Sequence, residues 1–202
     1  MLIIEKTCVI TKYDTKRGDD LVIPEYIDGS RVVSLRDGLF ANMKFDNVVL
    51  PPSLTDMEEA FMASEITGKL VLSAPSISSN AFWMCIMNSE LILPECLVSI
   101  GSSAFYGCTF TGKLVIPKNV RVIEEGAFAK CCGLTSIEFA PGSRIRKIDK
   151  FAFAGCENLR GSLVFPDFLE EIGDRAFFDT HVEPILHAST HVHSSAFTSL
   201  SI

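Results

Sequence analysis

The residues best suited to chemistry in this sequence are seven cysteines: Cys8, Cys85, Cys96, Cys108, Cys131, Cys132 and Cys156. Four of them follow a phenylalanine by three residues, in the way that Cys131 follows Phe128. Thiols that recur at one position could form a redox pair or bind a metal ion, but a free cysteine also behaves as a small apolar group. Elsewhere in the chain the same position holds other residue types: Met43, Ser64, Thr180 and Leu200. Because no fixed set of thiols is kept, we predict a ladder of buried, reduced cysteines.

All four histidines lie within thirteen residues: His181, His187, His191 and His193. Imidazole nitrogens are common zinc ligands, and Glu183 is an acidic neighbour. No cysteine or carboxylate accompanies the histidines at the spacing of known zinc motifs. The sequence therefore favours a polar coil that faces water and predicts no metal or other cofactor. A metal site at this cluster is the remaining alternative.

Sequence motifs of catalysis are absent. The sequence contains no nucleophile elbow, no cysteine and histidine in a catalytic motif, and no glycine-rich phosphate loop. We therefore expect a protein without enzymatic activity.

The charge balance narrows the classes of partner. Lys plus Arg number 18 against 25 for Asp plus Glu, and the formal net charge is −7. An acidic chain without a basic run is poorly suited to gripping the phosphates of nucleic acids. No apolar run approaches the roughly 18 residues that span a membrane. We expect neither nucleic-acid binding nor membrane insertion.

The cellular location is suggested by the start of the sequence and by its cysteines. A start at Met1 without a secretory signal, together with the odd cysteine count, favours the cytoplasm.

A repeat holds these residues in position. One phenylalanine recurs eight times, at intervals of 20–25 residues: Phe40, Phe61, Phe82, Phe105, Phe128, Phe153, Phe177 and Phe197. Before it come an apolar strand-like run, often closed by proline, and a second apolar pair such as Val120 and Ile123. Seven runs fit the strand: residues 21–23, 48–50, 70–72, 91–93, 114–116, 137–139 and 163–165. This period is typical of leucine-rich and β-solenoid repeats, whose coils bury their apolar faces by stacking.

We predict an α/β repeat solenoid, mainly of parallel β-structure and leucine-rich-repeat-like, with about eight coils of 20–25 residues. Each segment around an Ala–Phe pair is expected to form one short helical or 3₁₀ turn. Residues 21–202 would form the solenoid. Residues 1–20 would form an N-terminal β-hairpin cap that covers the first coil, built from the apolar runs 2–4 and 8–10.

One stretch carries a family resemblance through eight residues: Leu114, Ile116, Pro117, Val120, Ile123, Ala127, Phe128 and Cys131. It resembles the BspA-type (Treponema pallidum-type) leucine-rich repeat, whose pattern is approximately L-x-I-P-x-x-V-x-x-I-x-x-x-A-F-x-x-C. The resemblance extends from about Leu21 to Phe197. It implies a leucine-rich-repeat fold and a non-enzymatic adhesion or protein–protein interaction module. It also implies the cell surface or the secreted fraction as the alternative location.

The outward side of the predicted strands is the candidate binding surface. Side chains alternate along a strand, so Val115 points outward if Leu114 and Ile116 point into the core. Equivalent positions form a largely apolar column: Val22, Val49, Val71, Ile92, Val115, Glu138 and Val164. An apolar stripe with a polar rim is typical of a binding face, although β propensity alone would also favour valine here.

We therefore predict a non-catalytic protein-binding module and a partner-binding set on this face: Val49, Val71, Ile92, Val115, Lys69, Lys113, Glu138 and Val164. The identity of the protein partner is not encoded in a recognisable motif. The alternative is a structural unit that self-associates through an uncapped C-terminal end, because the sequence stops five residues after Phe197.

Overall fold

A computed structural model of the chain describes residues 6–14 and 19–198. These residues form a β-solenoid of about eight coils, built almost entirely from parallel strand pairs. The strands in chain order are β1 (Thr7–Ile10), β2 (Leu21–Val22), β3 (Tyr26–Ile27), β4 (Ser30–Leu35), β5 (Lys44–Phe45), β6 (Val48–Val49), β7 (Glu65–Ile66), β8 (Leu70–Val71), β9 (Ser76–Ile77), β10 (Ile86–Met87), β11 (Ser99–Ile100), β12 (Gly112–Ile116), β13 (Val122–Ile123), β14 (Leu134–Phe139), β15 (Lys147–Ile148), β16 (Arg160–Val164), β17 (Glu171–Ile172), β18 (His181–Ile185) and β19 (His191–Val192).

The longest continuous sheet comes from the second apolar pair of each coil. Its six strands stack in the order β19-β17-β15-β13-β11-β9, with pairs such as Ile100 and Ile123 in register. The inward isoleucines of these strands are buried. A regular two-residue strand in each coil is sufficient here because every coil repeats the same apolar spacing.

The predicted strand column is divided into three sheets: β2-β6-β8, β12-β14 and β16-β18. The strand predicted at residues 91–93 is absent from this part of the described chain. Leu91 and Leu93 are nevertheless buried and Ile92 is exposed. The alternation along residues 91–93 therefore predicted the burial of their side chains correctly. Their backbone, however, makes no strand hydrogen bonds to the described residues of the neighbouring coils.

The predicted α/β class is wrong, because none of the described residues lies in a helix. The segments around the repeat phenylalanines are instead linked turns, and the seven from Phe40 to Phe177 each have two residues at positive φ spaced four apart. In one of them these are Gly126 (φ 61°) and Lys130 (φ 58°). Left-handed residues at this spacing interrupt a helix. Accordingly, no helix in the described ranges is long and apolar enough to cross a membrane.

The turns are stabilised by their neighbours. The N–H of Phe128 donates to the carbonyl of Ala152 on the next coil (2.8 Å), and the N–H of Lys130 donates to that of Ala154 (2.7 Å). The intervening N–H of Ala129 donates within its own turn, to Gly126 (3.0 Å). Alternate amides thus bond between coils, so the turn segments act as a further hydrogen-bonded column of the solenoid.

A ladder of stacked phenylalanines runs along the core. Successive rings of the repeat Phe lie 5.1–5.3 Å apart, and most pairs are nearly parallel. An alanine precedes seven of the eight rings and is fully buried, as at Ala127 and Ala152. Its small side chain permits the close approach of neighbouring coils, while the rings fill the space between turn and strand.

At the N-terminal end, β1 pairs in parallel with β4, and β3 forms an antiparallel hairpin with the same strand. The predicted cap requires residues 2–4 as its first strand. Residues 1–5 and 15–18 lie outside the described residues, so the hairpin cap stays a prediction. Residues 199–202, including the cysteine-equivalent Leu200 and the end proposed for self-association, also lie outside them.

Candidate functional site

The four repeat cysteines form the buried ladder predicted from their spacing. Each sulfur lies 2.8–3.1 Å from the carbonyl oxygen of a repeat phenylalanine on the preceding coil, as Cys131 does from Phe105 (3.1 Å). Ser64 is buried at the equivalent position, and its hydroxyl donates to the carbonyl of Phe61 (2.8 Å). The position therefore takes a small side chain that can hydrogen-bond a buried carbonyl, which is a structural role.

Burial raises the pKa of Cys108 well above its ordinary value, and the hydrogen bond with Cys85 raises it further. Burial and the neighbouring Cys156 do the same to the pKa of Cys131. Cys85 is also buried, but its hydrogen bonds with Cys108 and Ser64 lower its pKa. Only the thiolate is a good nucleophile, so Cys108 and Cys131 are poorly reactive.

We expect a thiol reagent such as DTNB to separate the cysteines into classes. At mildly alkaline pH Cys96 and Cys132, which are exposed, react first, and the four ladder thiols react only when urea unfolds the chain. Because the folded-state pKa values of Cys108 and Cys131 are raised, the stability they contribute is complete at neutral pH. It is lost as pH rises, since the unfolded chain releases these protons first. Rapid reaction of any of the four ladder thiols in the native protein would contradict their burial.

Three of the four histidine side chains contact separate partners among the described residues. His187 Nε2 lies 2.7 Å from Asp167 Oδ1, and His193 Nδ1 lies 3.5 Å from Asp174 Oδ1. His181 Nδ1 is 3.1 Å from the backbone oxygen of Glu157. Within residues 6–14 and 19–198, no group of three or more His, Cys, Asp or Glu side chains is arranged to hold a metal ion.

The outward column lies where alternation places it. Ile92 is 74% exposed, Val164 61%, Val71 43% and Val115 38%. Val49, in contrast, is half-buried, because its strand β6 pairs with β2 on one side and with β8 on the other. Val49 is therefore the one apolar member of the column that the structure does not leave exposed.

Three grooves open on this surface where the strand column is interrupted. We call them grooves A, B and C, after their order along the chain. Groove A (about 480 Å³) lies between β8 and residues 91–93, groove B (about 520 Å³) between those residues and β12, and groove C (about 450 Å³) between β14 and β16. The predicted residues that line A are Lys69, Val71 and Ile92, those of B are Ile92, Lys113 and Val115, and those of C are Glu138 and Val164. Seven of the eight predicted site residues thus line a groove, and Val49 does not.

The polar side chains between grooves B and C form an ion pair. Lys113 Nζ lies 2.8 Å from Glu138 Oε2, on paired strands. The hydrogen bond with Glu138 and its negative charge raise the pKa of Lys113. Both side chains are more than half exposed, so the pair contributes little to stability and is available to a partner.

The backbone beside groove B is also available. The N–H groups of Leu91, Ile92 and Leu93 donate no hydrogen bond to the described protein residues. Backbone amides near a surface must find partners in water or in a ligand. Groove B therefore combines apolar side chains with free hydrogen-bond donors.

Two further surface features lie outside the predicted set of site residues. Arg121, Arg144 and Arg146 line a pocket of about 510 Å³ together with the exposed Phe168. These residues come from three coils, and the only signal in the sequence was the local excess of arginine. On the turn surface, Trp83 and Tyr106 stack 5.9 Å apart, with Lys130 Nζ 5.6 Å from the centre of the tyrosine ring.

Comparison with solved structures shows the same fold in three bacterial proteins. The chain is 23% identical to a leucine-rich repeat protein of T. pallidum over 85% of this chain and 80% of that one (TM-score 0.64). It is 24% identical to a leucine-rich repeat protein of Bacteroides ovatus over 85% of this chain, but spans only 52% of that protein's length (TM-score 0.53). It is 15% identical to the pneumococcal vaccine antigen PcpA, covering 89% of this chain and 44% of that one (TM-score 0.55). No curated protein sequence matches.

The repeat pattern itself gives the family. Six copies of the BspA type leucine rich repeat region match residues 75–202, which include the Cys ladder, grooves B and C and the arginine pocket. The resemblance inferred from Leu114 to Cys131 is confirmed by this match. On these grounds the chain belongs to the BspA-type leucine-rich repeat family.

Proposed function

We propose that this protein is a non-catalytic binding module that takes a protein partner on the face formed by grooves A, B and C. Leucine-rich repeats are a fold generally used for protein interaction and are generally without catalytic activity. Of the several surfaces of the solenoid, the face formed by grooves A, B and C is the one to which we assign partner binding.

The observation that carries the proposal is the coincidence of the exposed apolar column with the three grooves. Ile92 forms the wall shared by grooves A and B and is the most exposed of the strand-face residues. Apolar anchors in concave sites with polar surroundings supply most of the binding energy of protein interfaces. Here Lys69, Lys113 and Glu138 supply the polar surroundings.

An extended segment of a partner fits this surface best. The grooves follow one another along the solenoid axis, and the free N–H groups of residues 91–93 suit the carbonyl oxygens of an extended chain. Affinity would then come from side chains in the grooves, and main-chain hydrogen bonds would fix the orientation.

The double substitution Val71→Glu plus Val115→Glu is expected to abolish partner capture without unfolding the protein. Both side chains are exposed, so the charges cost the fold little but place carboxylates in grooves A and B, where an apolar group would have to displace their water. The measurement is affinity capture from an extract of the source organism, quantified by mass spectrometry, with circular dichroism as the check on folding.

The matched control is Val9→Glu plus Val98→Glu. These valines are also exposed and the change in charge is the same, but neither residue lines a groove. Equal loss of capture in both double variants, or no loss in either, would contradict the strand face as the binding surface. Light scattering of the wild type at the same concentration shows whether the captured partner is a second copy of the chain, which keeps the self-association hypothesis under test.

A further inference from the structure

The arginine pocket is an unusual concentration of positive charge in an acidic protein. Arg121, Arg144 and Arg146 line it, while the chain as a whole has a formal net charge of −7. The N–H of Arg146 donates to the carbonyl of Arg121 (2.8 Å), so these two residues are neighbours on adjacent coils. Like charges at neighbouring positions of a parallel stack repel each other. A bound anion would relieve this repulsion.

The positive charge of the pocket is only partly neutralised within the protein. Arg146 Nη1 lies 2.7 Å from Glu170 Oε1, which leaves that guanidinium with donors still free. Arg121 and Arg144 have no carboxylate partner among the described side chains. Two guanidinium groups are therefore open to an oxyanion, with which arginine forms paired hydrogen bonds.

The pocket is continuous with groove C. Phe168 and Gly142 line both cavities, and Phe168 is 65% exposed between them. One ligand can therefore occupy both cavities, with an apolar group in groove C and an anion beside the arginines.

We infer that the partner segment bound by this face is acidic: it places an apolar side chain in groove C, passes Phe168, and puts carboxylate or phosphate groups in the arginine pocket. The inference rests on the proposed function, because groove C belongs to the strand face. The occupant is an extended acidic peptide, and the source of its negative charge is either glutamate and aspartate or a phosphorylated residue. Both present the oxyanion that the open guanidinium groups of Arg121 and Arg144 bind.

The test is fluorescence anisotropy with labelled synthetic peptides and the full chain. The acidic probe contains one leucine followed by four glutamates. Two comparison peptides have the same length: one carries glutamines in place of the glutamates, and the other carries two phosphoserines in place of glutamates. We expect the wild type to bind the glutamate or phosphoserine probe, and the glutamine probe to bind at least about tenfold more weakly. Arg121→Ala plus Arg144→Ala should weaken binding of the acidic probe about tenfold or more, and binding should fall with added salt.

The control variant is Lys12→Ala plus Arg36→Ala, which removes the same charge from exposed positions outside the pocket. It should bind the acidic probe as the wild type does. Failure of the wild type to prefer the acidic probe, or equal weakening in both double variants, would overturn the inference. So would equally tight binding of a DNA oligonucleotide of the same charge, because the site would then not be one for peptides.

The outcomes separate this inference from the proposed function. If Val71→Glu plus Val115→Glu abolishes partner capture while the arginine variant captures normally, the strand face stands and the acidic specificity is overturned. If the acidic probe binds through the arginines while the valine variant captures normally, the acidic site stands, and the assignment of the partner to grooves A and B fails.

Discussion

Phe128→Ala is expected to lower the free energy of unfolding by about 4 kcal/mol. The Phe128 ring is fully buried and stacks 5.3 Å from both Phe105 and Phe153. The ring also makes an edge contact with Phe110, at 6.4 Å. Its removal leaves a cavity and ends all three aromatic contacts. The coils on either side are held together by backbone hydrogen bonds at the turns, and they cannot collapse into the space. The loss of ring contacts therefore adds to the cost of the cavity.

The measurement is urea denaturation followed by circular dichroism, with hydrogen exchange to locate any partial opening of the array. The control is Phe168→Ala, which removes the same ring from a position that is 65% exposed and is expected to change stability by less than about 0.5 kcal/mol. Similar costs for the two substitutions would show that the phenylalanine ladder does not stabilise the core as described.

Gly133→Ala is expected to destabilise the protein by about 3 kcal/mol. A Cβ at this position would clash with the carbonyl oxygen of Phe110 and would lie 3.0 Å from that of Thr109, both backbone atoms of the preceding coil. Backbone cannot rotate away as a side chain can, so neighbouring coils would have to separate. The tight spacing of stacked coils leaves no room for that movement.

The control for this prediction is Gly142→Ala, again scored by the urea midpoint. No atom lies within 4 Å of a Cβ at residue 142, and the only cost is the left-handed backbone (φ 73°), which amounts to about 1 kcal/mol. If Gly133→Ala is no more costly than Gly142→Ala, close approach between coils is not what requires glycine at residue 133.

The main error of the prediction from sequence was to expect a short helical turn at each Ala–Phe segment, and this error has a specific cause. Some left-handed positions of the turns are held by glycine, as at Gly126 and Gly155, but others are held by Lys130, Phe151 and Arg175. These three residue types give no local signal for such a backbone. The conformation is stable because alternate amides of each turn bond to the next coil, which is a contact between residues 19 to 24 positions apart.

The strand face shows a similar division. Alternation along the strands was sufficient to place Val71, Ile92 and Val115 at the surface, because side-chain direction in an extended segment is a local property. The grooves beside them were not predictable, because they depend on which neighbouring segments hydrogen-bond and which do not. The arginine pocket likewise needs the register of three coils to bring Arg121, Arg146 and Phe168 together.

The sequence by itself determined the repeat, its core and its family. Phenylalanine, alanine and cysteine recur with a period that only stacked coils can satisfy, since a single coil leaves its apolar face in water. Only the tertiary structure decided that the turns are not helical, that the strand face is broken into grooves A, B and C, and that three arginines share one pocket. The physical reason is that periodicity fixes which side chains are buried, whereas hydrogen bonding and surface shape depend on how each coil meets the next.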